Sequence, residues 1–408
     1  AVLTLLDHLE ARRIPTYVTE NACSDGTAAA IRERHPWACL LESKHNLGGT
    51  GGFNCATLAA LTSGAKYIVL LDDDVLPEGD CLEEMACFLD ANPEYAYVAP
   101  SIDISSQPGV LQETGGDIQP FRDPAVESWN RFRRGGIPEE RLDIGYASAC
   151  CLMIRAEAIL KTGVMEWAYF LFCDDVDWCV RLGRMAGKGA CLPQSKAQHD
   201  FPWGKPFGSM RLYFYHRNNM LLFNRILRHD ARFEVPLRRS LSRTAISWMR
   251  AAAAGDAEIR DTLSSAFRDA VRGRFGVWKS KPKTAAQTQP KLDAAFFRAQ
   301  GVRRVLVVIH IEEFIDPIIK KLRECAGDAS LEIHLLCDAH RAEHWRGTGA
   351  FAQVIGRAAG VKNRMREPWA LRAAGYDLAL EDMFMEPRGP NGMAARHAAI
   401  FHAGELYA

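Results

Sequence analysis

The first two hundred residues of this 408-residue chain predict an α/β fold built on a mostly parallel sheet. Short apolar runs there alternate with helical patterns, as βαβ units do. One of those runs, Tyr67 to Leu71, is apolar without interruption, as expected of a strand covered on both faces. A stretch rich in Lys, Pro, Thr and Gln from Lys279 to Lys291 separates a second α/β pattern from the first.

Taken in order, Val2, Leu3, Leu5, Leu6 and Leu9 open the chain in a helix-like run, with Ala1 rather than Met in front. With the abrupt stop after Glu405-Leu406-Tyr407, this reads as a chain trimmed at both ends. Pro15 to Thr19, Tyr67 to Leu71 and Tyr146 to Ile154 are the strand candidates. A glycine-rich loop from Asn46 to Asn54 is expected to lead into a helix near Cys55, and another helix is expected at Gly79. From Met210 to Phe275 the pattern is helical and rich in arginine. Beyond the linker, Val302 to Ile309 and Leu331 to Leu336 read as strands around an amphipathic helix from Ile315 to Cys325. The predicted organisation is a first domain over 1–209, a basic helical region over 210–278, a linker over 279–300 and a partial Rossmann-like α/β unit over 301–408. That last unit lacks a GxGxxG turn, so dinucleotide binding has no support there. A further transferase domain, a docking module and a scaffold for homo-oligomers all stay open for it.

Lys plus Arg and Asp plus Glu number 50 each, which gives no reason to expect nucleic acid as a partner. Twelve cysteines without a CxxC pair point to reduced thiols in a cytoplasmic compartment and argue against zinc. No apolar run approaches the roughly 20 residues a bilayer span requires, so the chain reads as soluble.

Asp72-Asp73-Asp74 ends the apolar strand, where three carboxylates repel one another unless a cation compensates. Oxygen ligands suit Mg²⁺ or Mn²⁺, which can bridge a diphosphate. The plainer reading is a turn with solvated acids. About a hundred residues on, Phe172-Cys-Asp-Asp-Val-Asp-Trp178 follows an aromatic run. Carboxylates against an apolar wall hold protons more tightly and suit a general base; taken alone, Asp174 reads better as a cap of the following helix, and the pairing of the two acidic clusters tips the balance toward the base. His199 is placed to complete a metal site with the acids. The glycines at 48, 49, 51 and 52 let a backbone approach an anionic or planar ligand, with a flexible turn as the alternative.

Together, Glu20-Asn21-Ala-Cys-Ser-Asp25-Gly-Thr27, the Asn46 to Asn54 loop, Asp72 to Asp74, Phe172 to Trp178 and Tyr213-Phe-Tyr-His-Arg217-Asn218-Asn219 resemble family 2 glycosyltransferases of the GT-A fold. The resemblance covers roughly residues 1 to 230, and within the family the motifs look most like galactofuranosyltransferases and rhamnosyltransferases. It implies a metal held by Asp72, Asp74 and His199, Asp175 as base, and Asp174 orienting the acceptor. Glu20, Asn21, Asp25, Asn46, Gly48, Gly49, Gly51, Gly52 and Asp73 would line the donor, and Trp178 and Trp203 would meet the acceptor. The expected reaction is inverting transfer, with Mn²⁺ or Mg²⁺, from UDP-galactofuranose first and a rhamnose donor such as a dTDP-sugar next. The acceptor would be a hydroxyl of a cell-surface glycan or lipid-linked saccharide, in cell-wall or O-antigen assembly. The family's opening strand is expected to precede Ala1. Ser148-Ala149-Cys150 replaces aromatic residues that some polymerising members carry, which implies a different acceptor.

From Lys205 to Arg250 there are ten Lys or Arg against two Asp or Glu. Contact with an anionic membrane at the inner face of the plasma membrane and a merely solvated helical face explain this equally well. Competing functions are a nucleotide-sugar-binding module without catalysis, a nucleotidyltransferase, and a carboxylate-pair glycosidase.

Overall fold

Leucines at positions 5, 6 and 9 recur at helical spacing and are all buried, which fixes the inward face of the first helix, α1 (Val2–Ala11). The computed structural model that shows this describes residues 1–107, 109–119, 126–129, 140–200, 209–227, 230–254, 256–279, 292–309, 315–327, 330–357, 370–371, 373–381, 395–402 and 405–407. Two units are distinguished: Ala1–Phe201 with Arg217–Ser240 and Asp269–Lys279, and Pro202–His216 with Leu241–Arg268 and Ser280–Ala408.

In the first unit α1 leads into β1 (Tyr17–Glu20), α2 (Thr27–Arg34), β2 (Cys39–Glu42), α3 (Gly48–Leu61), β3 (Tyr67–Leu71), β4 (Val75–Pro77) and α4 (Cys81–Ala91). There follow β5 (Tyr95–Ile104), β6 (Leu111–Glu113), β7 (Gly116–Ile118), β8 (Val126–Ser128), β9 (Leu142–Ile144), β10 (Cys151–Arg155) and α5 (Ala156–Thr162). A 3-10 turn (Trp167–Tyr169) then precedes α6 (Asp174–Met185) and β11 (Lys188–His199). The main sheet runs β3-β10-β5-β11-β4, with β6 beside β5 and β9 beside β11, while β1 and β2 pair in parallel. β5 and β11 are parallel, and β10 lies antiparallel between β3 and β5.

Alternation along the strands divides the core in two. Ile68, Leu70, Leu152 and Ile154 face Trp178, Leu182 and Phe223, whereas Cys151 and Met153 face Val75, Met85, Leu89 and Val98. Both faces of β3 are thus covered, as its unbroken apolar run requires. The predicted Tyr67–Leu71 strand matches β3. The one expected from Tyr146 to Ile154 is strand only from Cys151, because Tyr146 makes an isolated bridge to Gly116 and Ala149 and Cys150 form a turn.

The helical region comprises α7 (Ser209–Leu227), α8 (Glu234–Ala254) and α9 (Ala257–Val271). It is not a body of its own over 210–278: Arg217–Ser240 falls in the first unit. There Arg225 pairs with Asp177 and Glu166, and Arg184 donates to the Ile226 carbonyl.

The second unit holds α10 (Ala294–Gln300), β12 (Arg304–Val308), α11 (Ile315–Ala326), β13 (Glu332–Asp338), α12 (Ala339–Thr348), β14 (Gln353–Arg357), β15 (Tyr376–Glu381), β16 (Ala395–His402) and β17 (Glu405–Tyr407). Its sheet order is β14-β13-β12-β15-β16-β17, parallel except for β17, as in a doubly wound fold. The i, i+3, i+4, i+7 pattern of Ile315, Ile318, Ile319 and Leu322 is buried as predicted. The linker expected over 279–300 ends earlier: Asp293 caps α10 by accepting the Phe296 N–H, so helix begins at Ala294. Most of that stretch, 280–291, lies outside the described residues.

Candidate active site

β3 delivers Asp72 at the sheet's end, where its N–H donates to the Cys150 carbonyl at 3.0 Å. A turn through Asp73 and Asp74 leads into β4, whose Val75 is in register with His199, the last residue of β11. Strand pairing therefore brings a residue 125 positions away beside the acids. Asp72, Asp74 and His199 each offer a ligand atom, all within 4.8 Å of one another. Two carboxylate oxygens and one imidazole nitrogen fit Mn²⁺ or Mg²⁺, with positions left for other oxygens.

His199 is oriented from behind by Gln112 on β6, whose Oε1 lies 2.6 Å from Nδ1. Because that oxygen only accepts, Nδ1 carries the hydrogen and Nε2 faces Asp74 Oδ1 at 3.3 Å. Burial pushes Asp72 up to about 6, with His199 opposing the rise and Asp74 and Asp73 adding to it. Burial and the charge of Asp74 raise Asp73 as well. Burial works on Asp74 too, but the hydrogen bond and charge of His199 hold it below the usual carboxylate range. Such a cluster favours a bound cation.

The second acidic group starts α6. Asp174 is buried and its Oδ2 accepts the Thr50 hydroxyl at 2.6 Å. Asp175 is partly buried: Oδ1 accepts the Val176 N–H at 2.8 Å, and the Tyr146 hydroxyl lies 3.4 Å from Oδ2. Burial first, then the charge of Asp174, pushes Asp175 up to about 8, while the Val176 and Ala149 amides temper the rise. The two groups lie near one another: the Asp72 N–H donates to the Cys150 carbonyl, the neighbouring Ala149 amide tempers the rise of Asp175, and the charge of Asp174 adds to the rise of Asp72. Asp177 serves the fold, holding Arg181 and Arg225 at 2.8 Å each.

The glycine stretch is not a loop ahead of a helix near Cys55; it is the first turns of α3, which begins at Gly48. Asn46 Oδ1 accepts the Gly48 N–H, and Asn21 accepts from Leu47 and donates to the Gly48 carbonyl. Gly48 has φ 73°, and a Cβ there would stand 2.0 Å from the Phe170 carbonyl oxygen. A Cβ at Gly51 would stand 2.4 Å from Leu47 Cβ. These two glycines are needed for the protein's own packing, whereas Gly49 and Gly52 have room, with nearest neighbours at 3.5 and 3.8 Å.

Glu20 is buried and accepts the Cys23 N–H, while exposed Asp25 accepts the Thr27 N–H. Trp178 does not line an acceptor surface: it is 1% exposed, lies in the core, and donates to the Gly163 carbonyl at 2.8 Å. Helical spacing turns its ring inward from the same helix that presents Asp175. Trp203 lies outside the described residues. Sequence reading missed Gln112, Tyr146 and Thr50; only Thr50, inside the glycine run, carried a local signal.

Residues 4–163 match the family model described as glycosyl transferase family 2. That segment lies within the α/β first unit, and the match supports a glycosyltransferase enzyme. It is 26% identical to the N-acetylglucosaminyl-diphospho-decaprenol L-rhamnosyltransferase of Mycobacterium tuberculosis, over 46% of this chain and 67% of that protein. Among solved structures it is similar to a mannosyltransferase from Pyrobaculum calidifontis in complex with GDP-Man and Mn2+ (15% identity, 66% of this chain and 71% of that chain, TM-score 0.39). It is also similar to S. aureus TarS in complex with UDP (12% identity, 67% and 85%, TM-score 0.39).

Proposed function

We propose that this glycosyltransferase is inverting and metal-dependent, and that it moves a sugar from a nucleotide-sugar donor to a hydroxyl of a lipid-linked or cell-surface saccharide. What supports the reading is the gathering of Asp72, Asp74 and His199 within 4.8 Å of one another, with Asp174 close enough for its charge to raise Asp72. Asp175 takes the acceptor's proton, and the freed oxygen attacks the anomeric carbon from the side opposite the nucleoside diphosphate. A divalent cation on Asp72, Asp74 and His199 would neutralise charge on the departing diphosphate. Asp174, held by Thr50, orients the acceptor, and Glu20, Asn21, Asp25, Asn46, Gly49, Gly52 and Asp73 line the donor side.

The relative's name, a rhamnosyltransferase for a decaprenyl-diphosphate-linked sugar, supports proposing rhamnose as the sugar ahead of galactofuranose, and a lipid-linked acceptor. No helix among the described residues is long and apolar enough to cross a membrane. A peripheral contact through the basic 205–250 segment, at the cytoplasmic face of the membrane, would bring the site to such an acceptor. On α8, Arg238 and Arg239 are exposed, as are Trp248 and Met249. Flotation with anionic against neutral liposomes tests this, and equal partitioning refutes it.

The function is tested with a panel of nucleotide sugars and Mn²⁺, reading nucleoside diphosphate release with and without chelator. Transfer abolished by chelator is expected. Donor binding without transfer or hydrolysis would instead mark a binding module, and pyrophosphate release from a nucleoside triphosphate a nucleotidyltransferase.

A further inference from the structure

Between the Trp167–Tyr169 turn and α6 the chain holds three non-glycine residues in the left-handed region: Phe170 (φ 67°), Phe172 (φ 66°) and Cys173 (φ 68°). L side chains disfavour that conformation, so the surroundings must impose it. They do so from α7, through the Arg217-Asn218 pair that the proposed chemistry leaves without a role. Both side chains are fully buried. Asn218 Nδ2 donates to the carbonyls of Tyr169, Leu171 and Phe172 at 3.0, 2.6 and 2.9 Å. Arg217 donates to Ala168 and Tyr169 at 3.4 and 3.0 Å, and to Gly276 at 2.6 Å. Its Nε also donates to Asn218 Oδ1 at 3.0 Å, which fixes the amide with its hydrogens toward the turn.

The turn so held makes further contacts. The Phe170 carbonyl accepts the Thr50 N–H at 3.2 Å and seats against Gly48, and the Thr50 hydroxyl reaches Asp174. The next two residues in the chain are Asp174 and Asp175.

We propose that Arg217 and Asn218 are positioning residues for the transfer reaction: they hold the Phe170–Cys173 turn in its left-handed course and thereby set the aim of Asp174 and Asp175. This rests on the assignment of Asp175 as base. The metal-ligand set sits on other elements, the ends of β3 and β11, so the clamp governs turnover rather than metal or nucleotide binding. Misaiming a base by about an ångström costs on the order of a hundredfold in rate.

The test uses the full chain with Asn218→Ser, and Arg217→Lys alongside it, which keeps the charge but gives up the planar fork. Mn²⁺ affinity is read by electron paramagnetic resonance, UDP affinity by calorimetry, kcat by nucleoside diphosphate release from the donor that turns over, and folding by thermal unfolding. We expect kcat to fall about 10- to 100-fold while both affinities stay within about twofold. Adding Cys173→Gly to Asn218→Ser should recover part of kcat, since glycine enters the left-handed region freely. Wild-type kcat in a folded variant overturns the proposal. So does a joint collapse of Mn²⁺ binding, UDP binding and unfolding temperature in both variants, which would mark a purely structural pair. An Asp175→Asn control separates the two assignments: full turnover there sinks the base alone, whereas full turnover of Asn218→Ser beside an inactive Asp175→Asn sinks the clamp alone.

Discussion

Replacing Asp175 by Asn keeps the acceptor for the Val176 N–H but removes the titrating carboxyl, and two consequences can be worked from its surroundings. Removal of a general base lowers kcat by about 10²- to 10⁴-fold, while Mn²⁺ and UDP binding, carried by other residues, should hold. The second consequence concerns stability. Burial and Asp174 raise the folded-state value from 3.8 to about 8, so the folded protein keeps a proton that the unfolded chain has already released. The stabilisation from that proton is complete below the unfolded value and is lost as pH climbs to the folded one. Each pH unit within the window costs about 1.4 kcal/mol. Between about 6, where Asp72 titrates, and about 8, Asp175 should therefore account for a loss on the order of 3 kcal/mol. Urea unfolding of both proteins at pH 6, 7 and 8, below the range where the buried thiols add their own slope, checks this: stability should fall more steeply with pH in the wild type than in Asp175→Asn. The same titration predicts a kcat that rises with pH through about 8 in the wild type. An undiminished kcat in the variant, or an equal stability slope in both proteins, would refute the reasoning.

Gln112→Met should weaken Mn²⁺ binding by about 10- to 100-fold by freeing the His199 ring, measured by titration of the metal alone; unchanged affinity would sink the role given to Gln112. Gly48→Ala puts a Cβ 2.0 Å from the Phe170 carbonyl at a positive φ, and should cost more than about 2 kcal/mol in urea unfolding. Trp178→Phe should lower stability by about 1–3 kcal/mol, through lost volume and a Gly163 carbonyl without its donor, yet leave the acceptor KM near wild type. A raised acceptor KM without destabilisation would restore Trp178 to the acceptor surface.

Elements whose signal is local were legible in the sequence. The apolar run of β3 and the amphipathic pattern of α11 fall where periodicity puts them, and the acids that end β3 were visible as such. Less legible were positions where partners distant in sequence decide. A glycine run reads as a loop by composition, but Asn21, Asn46 and Phe170 cap and seat it as helix, so α3 starts at Gly48. Trp178 follows the acids in sequence and looked like part of their site, but helical geometry turns it into the core. Gln112 and Tyr146 carried no motif, since their roles come from the side chains that β-pairing and the β10 lead-in set beside them.

The chain's own residues determined the α/β class, the two acidic groups and the family their order resembles, because periodicity and motif spacing are properties of neighbouring positions. Only the tertiary structure decided that Gln112 backs His199, that Asp174 meets Thr50 and that Arg217 and Asn218 grip the turn before α6. Each of these depends on strand register or helix docking across many residues, and a side chain's charge state and hydrogen-bond partners follow from what is packed against it rather than from what precedes it in the chain.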